Sequence, residues 1–295
     1  MRYFLDRGTL FIRGRFRAAG TAIPGGIATI STILASTVDP GYPASSPPAK
    51  ELELAAAAAG IWRDYAGFTT AVPVQELCVF QCDFLTCFIL AGTFLKKIRK
   101  RRDGGIGIIL CSSGGMSDTA LQEAVRTAGD TGRAVIAELG KKETGLSLSS
   151  VIVACEGPEE YSAAAQGSPA GDRIRNILSF GIPEAVKRSG REGRGRPAFF
   201  IFSRFKGRHW VEWTPERCPY YPCHFEGQRC DYCYCPLYPC GDESLGQWTG
   251  SVNGARVWNC SGCRMIHEPA VADYLKKYPE ATVAELVRVS KKSKR

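Results

Sequence analysis

Histidine is scarce in this sequence: the chain of 295 residues contains three, and all of them follow residue 200. A Ser–His–Asp or Cys–His catalytic arrangement requires a histidine beside its nucleophile. The first 190 residues therefore exclude such an arrangement, unless His209, His224 or His267 reaches it from the second part of the chain. A carboxylate, a lysine or a metal-bound water remains as the general base for proton transfer in this region.

The sequence also lacks the marks of an exported or membrane-spanning chain. The N-terminus, residues 1–7, carries one acid and two arginines where a signal peptide requires an apolar stretch. The longest apolar run, residues 84–95, is shorter than the roughly 20 residues with which a helix crosses a bilayer, and a buried strand is the better interpretation. We therefore expect a cytoplasmic protein without a membrane partner.

No extended basic region accompanies the formal net charge of +9. The excess of basic residues lies in three short stretches, 96–102, 188–196 and 291–295. Each stretch lies beside glycine or at a terminus, which is typical of solvated loops and tails. Nucleic-acid binding is therefore a minor alternative for this protein.

Composition and length indicate a folded protein of two parts. Hydrophobic residues make up 44% and charged residues 23%, near the average for soluble domains. A chain of this length favours one medium and one small domain. The Gly- and Arg-rich stretch 189–197 predicts a flexible connection. We therefore divide the chain into a domain over residues 1–190, a linker over 191–197, and a small domain over 198–295 that ends in a helix and a basic tail.

The first part alternates strand and helix patterns. Residues 2–5 and 9–16 are rich in strand formers on either side of a turn, which predicts a hairpin. Residues 105–110 form an apolar strand pattern, and a glycine-rich turn separates it from helical composition over 119–139. With a further apolar strand over 150–154, this order predicts an α/β layered domain, a mixed sheet with flanking helices. Other predicted elements are strands over 67–72 and 77–90, helices over 49–65, 172–188 (interrupted or bent at 181–183) and 268–289, and a hairpin over 198–213.

Cysteine is unevenly distributed along the chain. Five of the 13 cysteines are scattered through apolar segments of the first part, where a thiol behaves as a small buried hydrophobe. The other eight fall between residues 218 and 263 at short spacings. In a chain without a secretory signal this pattern indicates metal ligation rather than disulfides. The five predicted core cysteines are Cys78, Cys82, Cys87, Cys111 and Cys155.

The cysteine cluster contains an internal repeat, because Cys218-Pro-Tyr-Tyr-Pro-Cys223 recurs as Cys235-Pro-Leu-Tyr-Pro-Cys240. A tetrahedral zinc site takes four N or S ligands, so the cysteines and histidines of this region suffice for two closed, structural zinc sites. Bound metal supplies folding free energy that loops of Gly, Pro and Tyr lack. An iron–sulfur cluster is the alternative cofactor. The predicted metal ligands are Cys218, Cys223, His224, Cys230, Cys233, Cys235, Cys240, Cys260, Cys263 and His267.

The glycine-rich turn after residues 105–110 is the candidate for catalysis. Asp118 stands at the start of the next helix, where the helix dipole favours a negative charge. Free backbone N–H groups of the turn could bind a developing oxyanion. From the residues alone, a helix-start role for Asp118 is the favoured alternative. The candidates at this turn are Asp118 and Ser117 as catalytic residues, and Ser112, Ser113, Gly114 and Gly115 as substrate-binding residues.

Several segments resemble the adenosylcobinamide amidohydrolase family, in the same order along the chain. The strand Gly105-Ile-Gly-Ile-Ile-Leu110, the helix start Ser117-Asp118-Thr-Ala-Leu121, the turn Thr144-Gly145 and the strand Ser150-Val-Ile-Val-Ala-Cys155 carry this resemblance. Earlier matching segments are Thr21-Ala22, Gly25-Gly26 and residues 65–72. The cysteine-rich part resembles the small domain that accompanies this family in archaeal proteins, through its repeat and its later Cys-x-x-Cys.

Three positions depart from the family pattern. Pro24 and Gly107 stand where the family has asparagine, and Ser149 stands where it has an acid. These changes leave open an archaeal-type branch, altered substrate handling or reduced activity.

The resemblance implies hydrolysis of the amide that joins the corrin side chain to aminopropanol. The products are then adenosylcobyric acid and 1-amino-2-propanol, in corrinoid salvage, and the partner is the corrinoid itself. The alternative is a non-catalytic corrinoid- or metal-handling protein. A large flat corrin needs aromatic and small residues on loops around it, although a core position is an equal alternative for Phe68. The implied substrate-binding residues are Gly25, Gly26, Phe68, Thr69, Thr70, Thr144 and Gly145.

Overall fold

The structure is a computed structural model. It describes residues 1–23, 26–39, 48–96, 101–140, 145–189, 197–203, 208–213, 221–232, 235–250, 256–278 and 280–294. The chain divides into two compact units, one over Leu5–Trp213 and the other over Met1–Phe4 with Thr214–Arg295. The residues of our predictions that lie outside the described ranges are Pro24, Gly25, Thr144, residues 191–196, Cys218 and Cys233.

The described elements follow one another in a mixed order of strands and helices. The strands are β1 (Arg2–Asp6), β2 (Thr9–Gly20), β3 (Ile27–Thr37), β4 (Tyr65–Thr70), β5 (Cys78–Cys82), β6 (Leu85–Lys96), β7 (Arg101–Ser112), β8 (Gly115–Met116), β9 (Leu146–Cys155), β10 (Glu159–Tyr161), β11 (Ala198–Ser203), β12 (His209–Trp213), β13 (Gln247–Gly250) and β14 (Arg256–Asn259). The helices are α1 (Pro48–Ala58), α2 (Asp118–Gly140), α3 (Pro169–Arg188), α4 (Pro269–Lys277) and α5 (Val283–Ser293).

A single mixed sheet organises the larger unit. Among the described residues it has ten strands, in the order β12-β11-β5-β6-β7-β9-β2-β3-β4, with β1 paired to β2. The pairs β7–β9, β3–β4 and β5–β11 are parallel, whereas β5–β6, β6–β7, β2–β9 and β2–β3 are antiparallel. This sheet with its flanking helices confirms the predicted fold class.

Helices α2 and α3 cover one face of the sheet. Ile106, Ile108 and Leu110 alternate along β7 and belong to the core that these helices share with the sheet. Because successive strand residues point to opposite faces, this alternation places one apolar row against the helices. The five cysteines predicted to lie in the core are all buried, as expected for thiols that pack as hydrophobes.

On the opposite face, the sheet curls so that its last strand, β4, packs over the central strand β7. The ring of Phe68 on β4 lies over Gly107 on β7, so that a Cβ at position 107 would be 2.5 Å from Cε2 of Phe68. In the same way, a Cβ at position 92 on β6 would lie 3.1 Å from Cγ2 of Val72. Gly107 is therefore needed to admit the Phe68 ring. This packing gives a physical reason for one departure from the family pattern, since an asparagine side chain does not fit beneath that ring.

Two predicted helices of the larger unit differ in detail from the structure. Helix α1 ends at Ala58 and Gly60 follows with a φ of 72°, a left-handed conformation in which glycine is favoured. The prediction extended this helix to residue 65. Helix α3 runs without interruption through Pro183, so the interruption that was one of the two expectations for residues 181–183 is not found. In the described ranges no helix combines the length and the apolarity that crossing a membrane requires.

The strands over 198–213, which the sequence division placed with the small domain, belong to the large sheet. The hairpin is as predicted, with β11 and β12 antiparallel, but β11 also pairs in parallel with β5. Phe200 stacks on Phe80 of β5 with ring centroids 4.8 Å apart. Arg188, at the end of α3, donates to both carboxylate oxygens of Glu212 on β12. These contacts carry the larger unit as far as Trp213, beyond the boundary that the sequence suggested.

The smaller unit is built from short elements around a modest core. Strands β13 and β14 form an antiparallel pair, and α4 and α5 pack through Val271, Leu275 and Leu286. The sequence predicted one helix over 268–289, but the chain leaves the helix after Lys277. A new helix starts at a capping box, in which the Thr282 hydroxyl accepts the N–H of Glu285 and the Glu285 carboxylate accepts the N–H of Thr282.

Candidate functional site

The predicted catalytic turn lies at the carboxyl ends of two parallel strands. Ser112, the last residue of β7, is opposite Cys155, the last residue of β9. Cys155 is in turn opposite Arg17 of β2. Asp118 begins α2 six residues after the end of β7. Ligands of α/β proteins commonly bind at the carboxyl edge of the sheet, and this edge is therefore the candidate active site.

Asp118 is paired with Arg17. The guanidinium of Arg17 donates to Oδ1 of Asp118, and the two residues are 101 positions apart in the chain. Their side chains are 46% and 63% exposed. An ion pair this open to water contributes little to stability. The pair therefore presents a carboxylate and a guanidinium cation to solvent at the carboxyl edge of the sheet, where both are accessible to a substrate.

The backbone of the glycine-rich turn does not offer the open oxyanion site that the sequence suggested. Each N–H from residue 113 to residue 117 donates to an acceptor within the protein. The acceptors are, in order, the carbonyl oxygen of Phe84 (3.0 Å), the hydroxyl of Ser112 (3.2 Å), the carbonyl oxygen of Pro158 (2.9 Å), the sulfur of Cys155 (3.3 Å) and the carbonyl oxygen of Tyr161 (3.0 Å). These bonds hold the turn rigidly, and they turn its donors away from a ligand.

The hydroxyls of the turn are also engaged. The hydroxyl of Ser112, which is buried, donates to the carbonyl oxygen of Gly114 at 2.6 Å. Ser113 is exposed, and its hydroxyl lies 3.4 Å from the carbonyl oxygen of Phe84. The hydroxyl of Ser117 accepts the N–H of Ala120 at 3.1 Å and donates to the carbonyl oxygen of Ser162 at 3.3 Å. The contacts of Ser117 are those of a helix N-cap.

We predict that Ser117→Ala lowers the free energy of unfolding by about 1 kcal/mol, the usual loss for an N-cap hydroxyl. Ser168 is a matched control, because its hydroxyl accepts the N–H of Gly171 at 3.1 Å at the start of α3. Thermal unfolding and turnover of Ser117→Ala and Ser168→Ala are compared side by side. A much larger loss of kcat in Ser117→Ala than in Ser168→Ala would give Ser117 a catalytic role instead.

Two residues at this edge were not singled out by the sequence. Arg17 belongs to no recognisable sequence motif, and its partner Asp118 is 101 positions away in the chain. Only the tertiary structure therefore identifies Arg17 as a residue of this site. Glu156 directly follows β9, and its carboxylate accepts the N–H of Arg15 at 3.0 Å. Both residues flank Cys155, whose thiol donates to the carbonyl oxygen of Arg17 at 3.6 Å. Burial raises the pKa of Cys155, which keeps it a thiol rather than a nucleophilic thiolate.

The other predicted substrate-binding residues are not gathered at this edge. Phe68 is 5% exposed and packs over Gly107, so it belongs to the core. The hydroxyl of Thr70, which is buried, accepts the N–H of Val72 at 3.0 Å. Gly145 immediately precedes β9, at the opposite end of that strand from Cys155. The ten residues of β9 separate Gly145 from the site, about 30 Å at the usual rise per residue.

Two further predicted residues, Gly26 and Thr69, also lack a link to the site. Gly26 has a φ of 93°, a conformation that favours glycine, and its N–H lies 3.5 Å from the carbonyl oxygen of Ile23. Thr69 lies on β4 opposite Ser36 of β3.

The larger unit also has an open cleft of about 680 Å³ between α3 and β12. Its lining residues are Asp172, Arg175, Asn176, Ser179, Phe180 and Trp210.

The smaller unit brings the predicted metal ligands into two groups. In the first, the amide nitrogen Nε2 of Gln228 lies 3.2 Å from the sulfurs of both Cys223 and Cys230. The rings of His224 and His267 are 4.5 Å apart. Nδ1 of His267, a buried side chain, lies 2.9 Å from the carbonyl oxygen of Arg229. That contact leaves Nε2 for another partner, as in many metal-bound histidines.

The second group consists of four cysteines. Burial, together with the charges of Cys263, Cys260 and Cys240, raises the pKa of Cys235 to about 12. The backbone N–H of Cys263 donates to the carbonyl oxygen of Cys260 at 2.9 Å, which closes a tight turn between these two residues. Four thiols whose charges act on one another in this way have the donor chemistry of a zinc or iron–sulfur site.

The donor chemistry fits a metal, but the described side chains do not themselves form a site. Within the described ranges, no three His, Cys, Asp or Glu side chains meet in an arrangement that could hold a metal ion. Cys218 and Cys233 lie outside those ranges. The ligand sets therefore remain a prediction.

The fold and the two groups of residues define a two-unit protein, in which an α/β domain with a mixed sheet carries a candidate hydrolytic edge and a second unit is rich in cysteine. The family model for adenosylcobinamide amidohydrolase matches residues 10–194, and the model for a cysteine-rich small domain matches residues 209–290. The chain belongs to the adenosylcobinamide amidohydrolase family, which is a family of amide-bond hydrolases. The first match ends at residue 194 and the second begins at 209, whereas the division between the two compact units falls after Trp213.

Three curated relatives each match part of this chain. An uncharacterized protein of Methanocaldococcus jannaschii is 51% identical over 55 residues, or 19% of this chain and 46% of the relative. A probable cobalt-factor III C(17)-methyltransferase of Methanothermobacter thermautotrophicus is 44% identical over 63 residues, or 21% of this chain and 17% of the relative. The chain thus covers less than half of the length of these two relatives.

The third relative is matched over its whole length. An adenosylcobinamide amidohydrolase of Methanosarcina mazei is 31% identical over 202 residues, which are 64% of this chain and 100% of the relative. No solved structure matches the chain.

Proposed function

We propose that this protein hydrolyses the amide bond of adenosylcobinamide to give adenosylcobyric acid and 1-amino-2-propanol. The family match and the Methanosarcina mazei relative support this reaction class. The observation that carries the proposal is the solvent-exposed pair of Asp118 and Arg17 at the carboxyl edge of β7 and β9. An exposed acid beside an exposed guanidinium contributes little to folding, and it supplies two groups that amide hydrolysis needs.

In this proposal Asp118 acts as the general base. Its carboxylate takes a proton from a water molecule as the water oxygen attacks the amide carbon. The Arg17 guanidinium orients that carboxylate and, through its remaining N–H groups, donates to the oxygen that becomes negative in the tetrahedral intermediate. The proton on Asp118 then passes to the amide nitrogen, the C–N bond breaks, and the amine leaves. Arg17 takes the oxyanion role because the N–H groups of the turn are already bonded.

The decisive experiment is a product assay. Purified full-length protein is incubated with adenosylcobinamide, and adenosylcobyric acid is sought by mass spectrometry. We expect its appearance together with an equal amount of 1-amino-2-propanol. Binding of adenosylcobinamide without either product would show a corrinoid-handling protein rather than a hydrolase.

For the smaller unit, we propose two structural metal sites that hold zinc. Cys235, Cys240, Cys260 and Cys263 supply one set of four thiolates. The other set comes from the region of Cys223 and Cys230 with its two histidines and the neighbouring predicted ligands. Zinc in such closed sites stabilises the fold and leaves no position for a substrate. The contacts of the Gln228 amide with two sulfurs support this proposal, since donors in a second shell commonly orient metal ligands.

Metal analysis checks these sites. Full-length protein is expected to carry about two zinc ions per chain, one for each closed set of four ligands. Cys260→Ser is expected to lower that content by about one and to unfold part of the smaller unit. Ser261→Ala is the matched control, because Ser261 adjoins Cys260 and its hydroxyl donates to Asn259. If the analysis finds iron in place of zinc, together with a visible absorbance band, then the smaller unit holds an iron–sulfur cluster and not zinc.

A further inference from the structure

Two aromatic rings lie stacked beside the turn that leads into α2. The ring centroids of Phe84 and Tyr161 are 4.4 Å apart, and the ring planes differ by 22°. The carbonyl oxygen of Phe84 accepts the N–H of Ser113, and that of Tyr161 accepts the N–H of Ser117, each at 3.0 Å. Both aromatic residues are therefore fastened to the segment that ends in Asp118. The stacked pair borders the candidate active site, but the proposed chemistry does not use it.

A glycine makes room for this arrangement. A Cβ at position 114 would lie 2.6 Å from Cε2 of Tyr161 and 2.5 Å from Oε2 of Glu160. The Tyr161 ring and the Glu160 carboxylate thus lie directly against the turn. Phe84 and Tyr161 are both half-buried: they pack against the apolar core, and part of each residue stays in contact with water. Large aromatic surface that stays partly open beside an active site is available to stack on a flat ligand.

Two carboxylates and one guanidinium lie near the rings. Glu160 is exposed, and Asp83, in the turn between β5 and β6, pairs with Arg173 of α3 at 2.6 Å. Burial, with the charges of Glu160 and Asp83, raises the pKa of Tyr161. Its phenol is therefore protonated near neutral pH and able to donate a hydrogen bond. The patch combines apolar ring surface, a phenol donor and negative charge.

We propose that Phe84 and Tyr161 form a stacking platform for the corrin ring of the substrate, with Glu160 at its border. This inference rests on the proposed function, because it names where that substrate sits. Adenosylcobinamide is a cation, since Co(III) exceeds by one the combined charge of the corrin ring and the adenosyl carbon. Its flat ring matches the aromatic surface, and its charge is attracted by the exposed Glu160 carboxylate. With the ring on the platform, an amide side chain reaches toward Asp118. The two aromatic residues determine specificity and are not catalytic.

The dissociation constant of adenosylcobinamide, measured by isothermal titration calorimetry on the full chain, tests the platform without requiring turnover. Tyr161→Ala is expected to raise this constant at least about tenfold, a typical effect of removing an aromatic anchor. Phe84→Leu, which keeps an apolar side chain but removes the ring, is expected to weaken binding by a smaller factor. Tyr161→Phe is expected to restore most of the affinity. In steady-state assays KM should rise by more than kcat falls.

Trp62→Ala is the control, because Trp62 is 78% exposed and precedes β4, at the end of the sheet order, whereas Phe84 lies between β5 and β6. It should leave the dissociation constant unchanged. A normal dissociation constant for folded Tyr161→Ala and Phe84→Leu would overturn the platform and leave the proposed hydrolysis standing. A rise caused by Trp210→Leu but not by the platform variants would overturn it in favour of the cleft beside α3. Tyr161-dependent binding without any product would support the platform and refute the hydrolysis.

Discussion

Asp118→Asn is expected to lower kcat for adenosylcobinamide hydrolysis by at least about a hundredfold, the usual cost of losing one positioned acid–base group. An amide in place of the carboxylate keeps the size of the side chain but cannot accept the proton from water. Because the Asp118 side chain is 63% exposed, the substitution should change the free energy of unfolding by less than about 1 kcal/mol. Initial rates and thermal unfolding, measured on the same preparation, separate the two effects.

Asp130 of the same helix provides a matched control for Asp118. It pairs with Arg133 at 2.7 Å, and both side chains are 65% exposed. Asp130→Asn removes an equally open carboxylate from an equally open ion pair and should leave kcat unchanged. If Asp118→Asn and Asp130→Asn turn over substrate at the same rate, then Asp118 serves only the start of the helix. The general base would then have to be sought among other acids of this edge, such as Glu156.

The second large effect concerns where the chain can be cut. A protein ended at Gly190 loses β11 and β12, and with them the ring of Phe200 stacked on Phe80. Phe80 is fully buried in the intact chain. The cut also leaves Arg188, 7% exposed, without Glu212. Arg188 keeps Glu184 at 2.8 Å, so losing its hydrogen bonds to Glu212 costs about 1.5–3 kcal/mol, and loss of a large aromatic contact costs about 3–5 kcal/mol.

These losses are comparable with the whole stability of a domain, about 5–15 kcal/mol. We therefore expect the chain ended at Gly190 to be unfolded or insoluble. The chain ended at Trp213 should fold and hydrolyse adenosylcobinamide, because we propose that the chemistry lies in the larger unit. Circular dichroism during heating and the product assay measure both properties. Full-length Glu212→Gln isolates this ion pair and should lower the unfolding free energy by about 1–2 kcal/mol, because Glu212 is 36% exposed and Arg188 keeps Glu184 at 2.8 Å.

Two outcomes would contradict this division of labour. A stable, active protein ended at Gly190 would show that β11 and β12 are dispensable for the sheet. A folded but inactive protein ended at Trp213, with full-length activity also lost on chelation, would bring His224, His267 or a metal of the smaller unit into the reaction.

The larger elements and their order were predictable because their signals are local. The apolar run at 105–110, the glycine-rich turn and the Ser117 cap lie within a few residues of one another, and each carries its own conformational preference. The five buried cysteines were predictable in the same way, since they sit within apolar strand patterns. The break between α4 and α5 was missed although the Thr282 capping box is visible in the sequence.

The candidate site was only half predictable. The turn and Asp118 follow from a local pattern, but Arg17 joins Asp118 only because β2 is placed beside β9. The acceptors that take up the N–H groups of the turn also come from other segments, among them Phe84 and Tyr161. A sequence shows which backbone groups a turn contains, whereas the tertiary structure decides which of them are already bonded.

The sequence by itself determined the fold class, the family and the concentration of metal-type ligands in the second part, because periodicity, helix capping and ligand spacing are short-range properties. Only the tertiary structure decided that β11 and β12 extend the large sheet, that Phe68 fills the space left by Gly107, and that Arg17 meets Asp118. Each of these depends on pairing between segments far apart in the chain. Such pairing is chosen by the burial and hydrogen bonding of the whole sheet, and no local preference encodes it.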